Sequence, residues 1–170
     1  MFERLPLWSG LLMALALLPA CSSYATPEML IGLSRDQVVV RMGQPDMERQ
    51  VDAGTRLEFP RGPYGKHTWF VYFDADSRAT SAEQVLTEQN FMRINSGMTQ
   101  EDGRQLLGRP SEVQMLGRQR GAVWSYRYES TFCQWFQVEL SLQQQVRSAG
   151  YGEPPECKER EVRIRLGDPR

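Results

Sequence analysis

The chain has 170 residues, with 20 Lys and Arg set against 21 Asp and Glu, a net charge of −1 and 41% hydrophobic residues. A balance this close to neutral lacks the strong basic field that nucleic-acid binding draws on. One histidine and three cysteines leave little material for a zinc site or a histidine-based nucleophile triad.

At the N-terminus, Arg4 gives a thin basic region, and Leu7–Leu18 is an apolar stretch broken only by Ser9 and Gly10. It is shorter than the roughly 20 residues of a membrane span and has the size of a signal h-region. The stretch ends Leu18-Pro19-Ala20-Cys21-Ser22-Ser23. That ending resembles a bacterial lipoprotein signal, with leucine three residues before the cysteine and a small residue just before it. The resemblance implies a signal peptide over residues 1–20 and acylation of Cys21, palmitate included. Several acyl chains would hold the mature protein at a membrane far more firmly than one. Ser22, in place of aspartate, resembles the pattern that directs such proteins to the outer membrane. An ordinary secretory signal or a buried cysteine is the alternative.

Next comes a phrase that the chain states twice. Residues 32–45 and 97–110 each begin with glycine, an apolar residue and a hydroxyl residue, and each end Gly-x-Pro. Gly32 and Gly97, Gly43 and Gly108, and Pro45 and Pro110 are all 65 positions apart. Ser34 and Thr99 are expected N-caps, with Gln37 and Asp102 closing capping boxes. Gly43 and Gly108 suit the left-handed C′ position, and the prolines stop the helix from resuming. Each phrase therefore predicts a helix of about two turns, too short to stand alone. A short helix is expected before each one: Thr26 caps 27–31, with Pro27 at N1, and Thr87 caps 88–94.

Strand-like runs follow both phrases. After the first come Met47–Asp52, Thr55–Arg61, Thr68–Asp74 and Ala79–Leu86. After the second come Glu112–Leu116, Ala122–Ser130, Phe132–Leu142 and a weak run near Val146. Trp69-Phe70 and Trp135-Phe136 occupy comparable places. The expected fold class is α+β: two tandem repeats, each a helix-turn-helix followed by an antiparallel β-meander. The boundaries are 21–86 and 87–150, with a C-terminal tail over 151–170.

The Gly-Met-Thr helix with its Gly-x-Pro ending, followed by a tryptophan-containing meander, resembles the BamE (SmpA/OmlA) outer-membrane lipoprotein family. Its fold is in turn similar to the tandem-repeat fold of the β-lactamase inhibitor protein. The resemblance covers both repeats, roughly residues 27–148. This chain departs from the family in having two units, in Leu33-Ser34 where Met-Thr is usual, and in Gly103 where an apolar residue is usual. It implies a periplasm-facing, lipid-anchored protein that contributes to β-barrel protein assembly or envelope integrity.

With Cys21 assigned to lipid, Cys133 and Cys157 remain. In an oxidising compartment they would form a disulfide joining the tail to the second meander. The alternative is a buried thiol at 133 and an exposed one at 157. Catalytic candidates are absent from the pattern, and neither cofactor nor metal is expected. His67 reads as a solvated side chain in a hairpin loop, and Asp74 and Asp76 as turn residues, because the glycine and terminal glutamate of a calcium loop are missing.

Two regions could bind a protein partner. Trp124, Tyr126 and Tyr128 alternate and so share one strand face, which is either core or part of a concave binding sheet. Arg61, Tyr64 and Lys66 belong to a basic Gly-rich loop, which is either a recognition loop or a plain hairpin connection. In the tail, Val162, Ile164 and Leu166 alternate with Arg163 and Arg165, so this segment could add an edge strand to the second sheet or stay a flexible end. The leading functional expectation is a protein-binding scaffold tethered at the outer membrane, its partners envelope assembly proteins. A periplasmic inhibitor or binding module acting on an enzyme is the alternative, and a hydrolase stands third.

Overall fold

A computed structural model describes residues 27–51, 54–117 and 121–158. The apolar stretch 7–18, Cys21, Thr26 and the segment 159–170 lie outside the described residues. The architecture is α+β, with two four-stranded antiparallel sheets, each in simple sequential order. The first sheet comprises β1 (Met47–Val51), β2 (Gly54–Arg61), β3 (His67–Phe73) and β4 (Ala79–Gln84). The second comprises β5 (Glu112–Leu116), β6 (Gly121–Arg127), β7 (Trp135–Leu140) and β8 (Val146–Gly152). Helices α1 (Arg35–Met42), α2 (Glu88–Phe91) and α3 (Gln100–Leu107) accompany them, and residues 155–158 are also helical. Among the described residues, no helix is long and apolar enough to cross a membrane.

The twice-stated phrase forms α1 and α3. Ser34 and Thr99 each accept a hydrogen bond from the N3 amide, and Gln37 and Asp102 reach back to the cap amide. Gly43 (φ 75°) and Gly108 (φ 73°) end the helices at positive φ, where a Cβ is unfavourable. The segment before each helix hangs on the last hairpin of its own sheet. Gly32 N–H donates to Ala79 O, Ala79 N–H to Leu33 O and Arg35 N–H to Ser77 O. In the second half Gly97 donates to Val146, Val146 to Met98 and Gln100 to Gln144. Gly32 and Gly97 make these bonds at φ 79° and 89°.

Several boundaries differ from expectation. Instead of a helix over 27–31, the chain forms one 3-10 turn at Pro27–Met29. The helix expected over 88–94 has one α-helical turn at 88–91 and continues as hydrogen-bonded turns to Ile94. The expected strand Phe132–Leu142 begins only at Trp135, because residues 128–134 form a loop. Phe132 is therefore exposed and does not extend the inner apolar row. The weak run near Val146 is a full strand reaching Gly152, so position 150 falls within β8.

Layering explains how such short helices persist. Leu57, Phe59, Val71 and Phe73 of the first sheet pack with Val38 and Met42 of α1 and with Leu30. The opposite face of that sheet presents Arg56, Glu58, Thr68 and Phe70, all buried. This face lies against α3: Arg56 donates to Gln105 O at 3.1 Å, and Phe70 joins the cluster that contains Leu107. The other side of α3 rests on Trp124, Tyr126, Phe136, Val138 and Leu140 of the second sheet. The order is α1, first sheet, α3, second sheet. A two-turn helix held between two sheets gains from packing the stability it lacks from length.

Candidate functional site

Where the β2–β3 loop meets the second sheet, the chain forms a cleft of about 470 Å³. One wall is the loop itself, a 3-10 turn over Pro63–Gly65 in which Tyr64 adopts φ 60°. That left-handed conformation is uncommon for a bulky residue and marks a loop held by its surroundings. The other wall is the β6–β7 connection, including Tyr128, Phe132 and Gln134. Its floor is tied by a disulfide between Cys133 and Cys157, whose Cα atoms are 6.2 Å apart. Two exposed rings stand at its rim, Tyr64 at 69% and Phe132 at 73% accessibility.

Arg127 organises the junction. Its guanidinium lies 5.0 Å from the Tyr64 ring centroid and 5.0 Å from that of Trp135. It donates to both carboxylate oxygens of Glu156, at 2.9 and 3.1 Å, and stands 3.7 Å from Glu112. A planar fork facing a carboxylate is geometry that arginine supplies and lysine does not. The hydrogen bond from Arg127 holds the Glu156 carboxyl below its usual range, and the hydrogen bond to Glu156 raises Arg127 in turn. A lowered folded-state carboxyl stabilises the fold above the unfolded value, and that contribution fades as pH falls through the folded one. At the far side His67 Nε2 lies 4.0 Å from Glu129.

The residues expected to bind a partner part company. Tyr64 and Lys66 line the cleft, and Tyr128 contributes its hydroxyl, which accepts from Gln134. Arg61 does not line it: its guanidinium donates to Pro60 O at 2.7 Å and sits over the Phe59 ring. Trp124 and Tyr126 face inward beneath α3 and are buried, which makes them core and not a presented surface. Burial drives the Tyr126 phenol well above its ordinary pKa, and its hydroxyl donates to Gly108 O at 3.3 Å. The Asp74 carboxylate accepts the amides of Asp76 and Arg78, closing the β3–β4 turn. Among the described residues, no group of three His, Cys, Asp or Glu is placed to hold a metal ion.

Sequence reading missed Arg127, Phe132 and Glu156. Arg127 lies on the face opposite the aromatic stripe and meets a glutamate 29 residues away, a pairing without local signature. For Phe132, the signal was obscured by the alternation that seemed to place it within a strand.

Comparisons with known proteins add little to this geometry. No protein-family model and no curated protein matches the chain. Among solved structures, a putative osmotically inducible lipoprotein, OsmE, is similar at 22% identity and TM-score 0.35, over 50% of this chain and 88% of that one. A DUF4309 family protein, YjgB, from Bacillus subtilis is similar at 12% identity and TM-score 0.29, over 71% and 78%. An extracellular SCP-domain protein from Bacillus anthracis is similar at 12% identity and TM-score 0.31, over 82% and 49%. At these scores none of the three speaks to what this chain binds.

Proposed function

We propose that this protein is a lipid-anchored, protein-binding scaffold of the Gram-negative envelope, held at the outer membrane by Cys21 and facing the periplasm. Its two halves are copies of one helix-and-meander unit. The observation that carries the binding role is the cleft itself. It is lined from both halves, pinned by a disulfide and rimmed by two exposed aromatic rings. Exposed tyrosine and phenylalanine over a rigid floor are the anchors that dominate interface energies. A disulfide fits an oxidising compartment, and the ending before Cys21 fits an acyl anchor. The repeated Gly-x-Ser/Thr and Gly-x-Pro phrases support a BamE-like role in β-barrel assembly or envelope integrity. Tethering would raise the effective concentration of the cleft near a membrane partner.

The experiment is a pull-down from detergent-solubilised envelope with the native chain, Cys21→Ala, and Tyr64→Ala combined with Phe132→Ala. The expected result is a partner set that includes barrel-assembly proteins. It should weaken at least about ten-fold when both rings are removed, and it should be lost from membranes without the acyl group. Unchanged capture by the ring-less variant would overturn the cleft. The strained, protruding Tyr64 favours a second reading, an inhibitor whose loop enters an enzyme cleft. In that case the unanchored protein would block a periplasmic enzyme, and Tyr64→Ala would relieve the block.

A further inference from the structure

Four sheet edges are present among the described residues, and three are guarded. β1 carries Glu48 and Arg49, engaged with Arg35, Glu58 and Glu101. The β3–β4 and β7–β8 pairings both contain a register shift, the irregularity with which edges are commonly blunted. β5 differs. It pairs with β6 in unbroken register over all five residues, and its one charged residue is Glu112 at the very start. No strand lies on its other side among the described residues, which leaves a row of backbone donors and acceptors open. Val113 and Met115 stand 50% and 73% exposed along it, and Val113 pairs across the strands with core residue Trp124.

We propose that β5 is a homodimer interface, where it pairs antiparallel with β5 of a second copy about a two-fold axis through Gln114. Glu112-Val113-Gln114-Met115-Leu116 is complementary to itself in that direction. Full overlap sets Gln114 opposite the partner's Gln114, Val113 opposite the partner's Met115, and Glu112 opposite the partner's Leu116. Residues directly opposite share a sheet face. Val113 and Met115 therefore meet their apolar counterparts on the face that continues Trp124, and two such pairs cover each other. On the other face two amides meet, and each Glu112 faces a leucine, so no like charges are opposed. A slip of one residue would set Val113 against an amide and join the inner face of one sheet to the outer face of the other. A regular edge recruits another strand, and the self-matching order of side chains singles out a second copy from other extended segments. An isologous contact closes on itself, so assembly stops at two.

Cross-linking and sedimentation equilibrium of the full chain in detergent test this, with substitutions confined to exposed positions. Gln114→Cys should form a disulfide-linked dimer under mild oxidation, because opposed residues hold their Cβ atoms about 5 Å apart. Glu112→Cys, about 13 Å from its own counterpart in this register, should link at least about ten-fold less. So should Val40→Cys, although Val40 is 84% exposed. Gln114→Lys and Gln114→Glu each oppose like charges and should weaken the dimer about five-fold. Mixing these two variants opposes unlike charges and should restore association. A native chain that stays monomeric up to about 1 mM overturns the proposal, and so does Gln114→Cys that links no faster than Val40→Cys. A dimer indifferent to both charge substitutions also overturns it, and places the contact elsewhere.

Discussion

Between the first sheet and α3, Arg56 and Glu58 are 5% and 3% exposed, and their side chains meet at 2.6 Å. Arg49 adds a second guanidinium at 2.9 Å from the same carboxylate oxygen, and the Arg56 guanidinium lies 3.9 Å from the Phe70 ring centroid. Such a network holds two layers in register, yet its net contribution is small, because desolvation offsets the attraction. Breaking it is another matter. Glu58→Gln leaves buried cationic charge poorly compensated and should lower unfolding free energy by about 3 kcal/mol in urea titrations. Replacing both partners together, Arg56→Met with Glu58→Met, should recover most of that loss. A loss below about 1 kcal/mol for Glu58→Gln would show that solvent reaches the pair.

Among the elements, α3 shows how two glycines in one short helix can have opposite meanings. Gly103 lies in the interior with ordinary φ, and a Cβ there would meet only the Trp124 ring, at 4.0 Å. Gly103→Ala should therefore stabilise the protein by about 0.5–1 kcal/mol through helix propensity and lost unfolded-state entropy. Gly108 has φ 73°, and a Cβ there would press on Thr68 and Phe70 at 3.0 and 3.1 Å. Gly108→Ala should destabilise by about 2 kcal/mol or more, since strain and overpacking add. Thermal melts of the two variants against the parent chain would check both signs. The capping box of α3 acts at its other end. Hydrogen bonds from the Thr99 side chain and backbone lower the Asp102 pKa, so this cap supports the helix above the unfolded carboxyl value and weakens as pH falls.

For the molecule as a whole, the two halves are joined mostly by packing. Across the join, Arg109–Asp46 and Arg49–Glu101 are ion pairs with an exposed member in each, of a kind worth well under about 1 kcal/mol. The buried contact of α3 with both sheets does more. The disulfide acts at the far end, linking residues 24 apart in sequence. On chain-entropy grounds a closed loop of that size contributes about 3 kcal/mol. Cys133→Ser with Cys157→Ser should cost about that in urea. It should also loosen the cleft, read as faster amide exchange in residues 128–134. A variant as stable and as slow to exchange as the parent would remove the disulfide from any part in shaping the cleft.

Local chemistry was legible in the sequence wherever it was local in space. The capped helices could be read at Ser34, Thr99, Gly43 and Gly108, because a cap and its amide are three residues apart. Most strand cores could be read from their composition, and Cys133 and Cys157 could be named as a possible pair. The sequence could not say that α3 would lie between two sheets, which buries Arg56, Glu58 and Phe70 on the first sheet's second face and makes Trp124 and Tyr126 core. Nor could it show that Arg127, Tyr64 and Glu156 would meet at one junction, or that Phe132 would leave its strand to rim a cleft. Those outcomes depend on which surfaces remain to be covered once each sheet has formed. Only the assembled layers decide that, because burial is a property of neighbours brought together from distant parts of the chain.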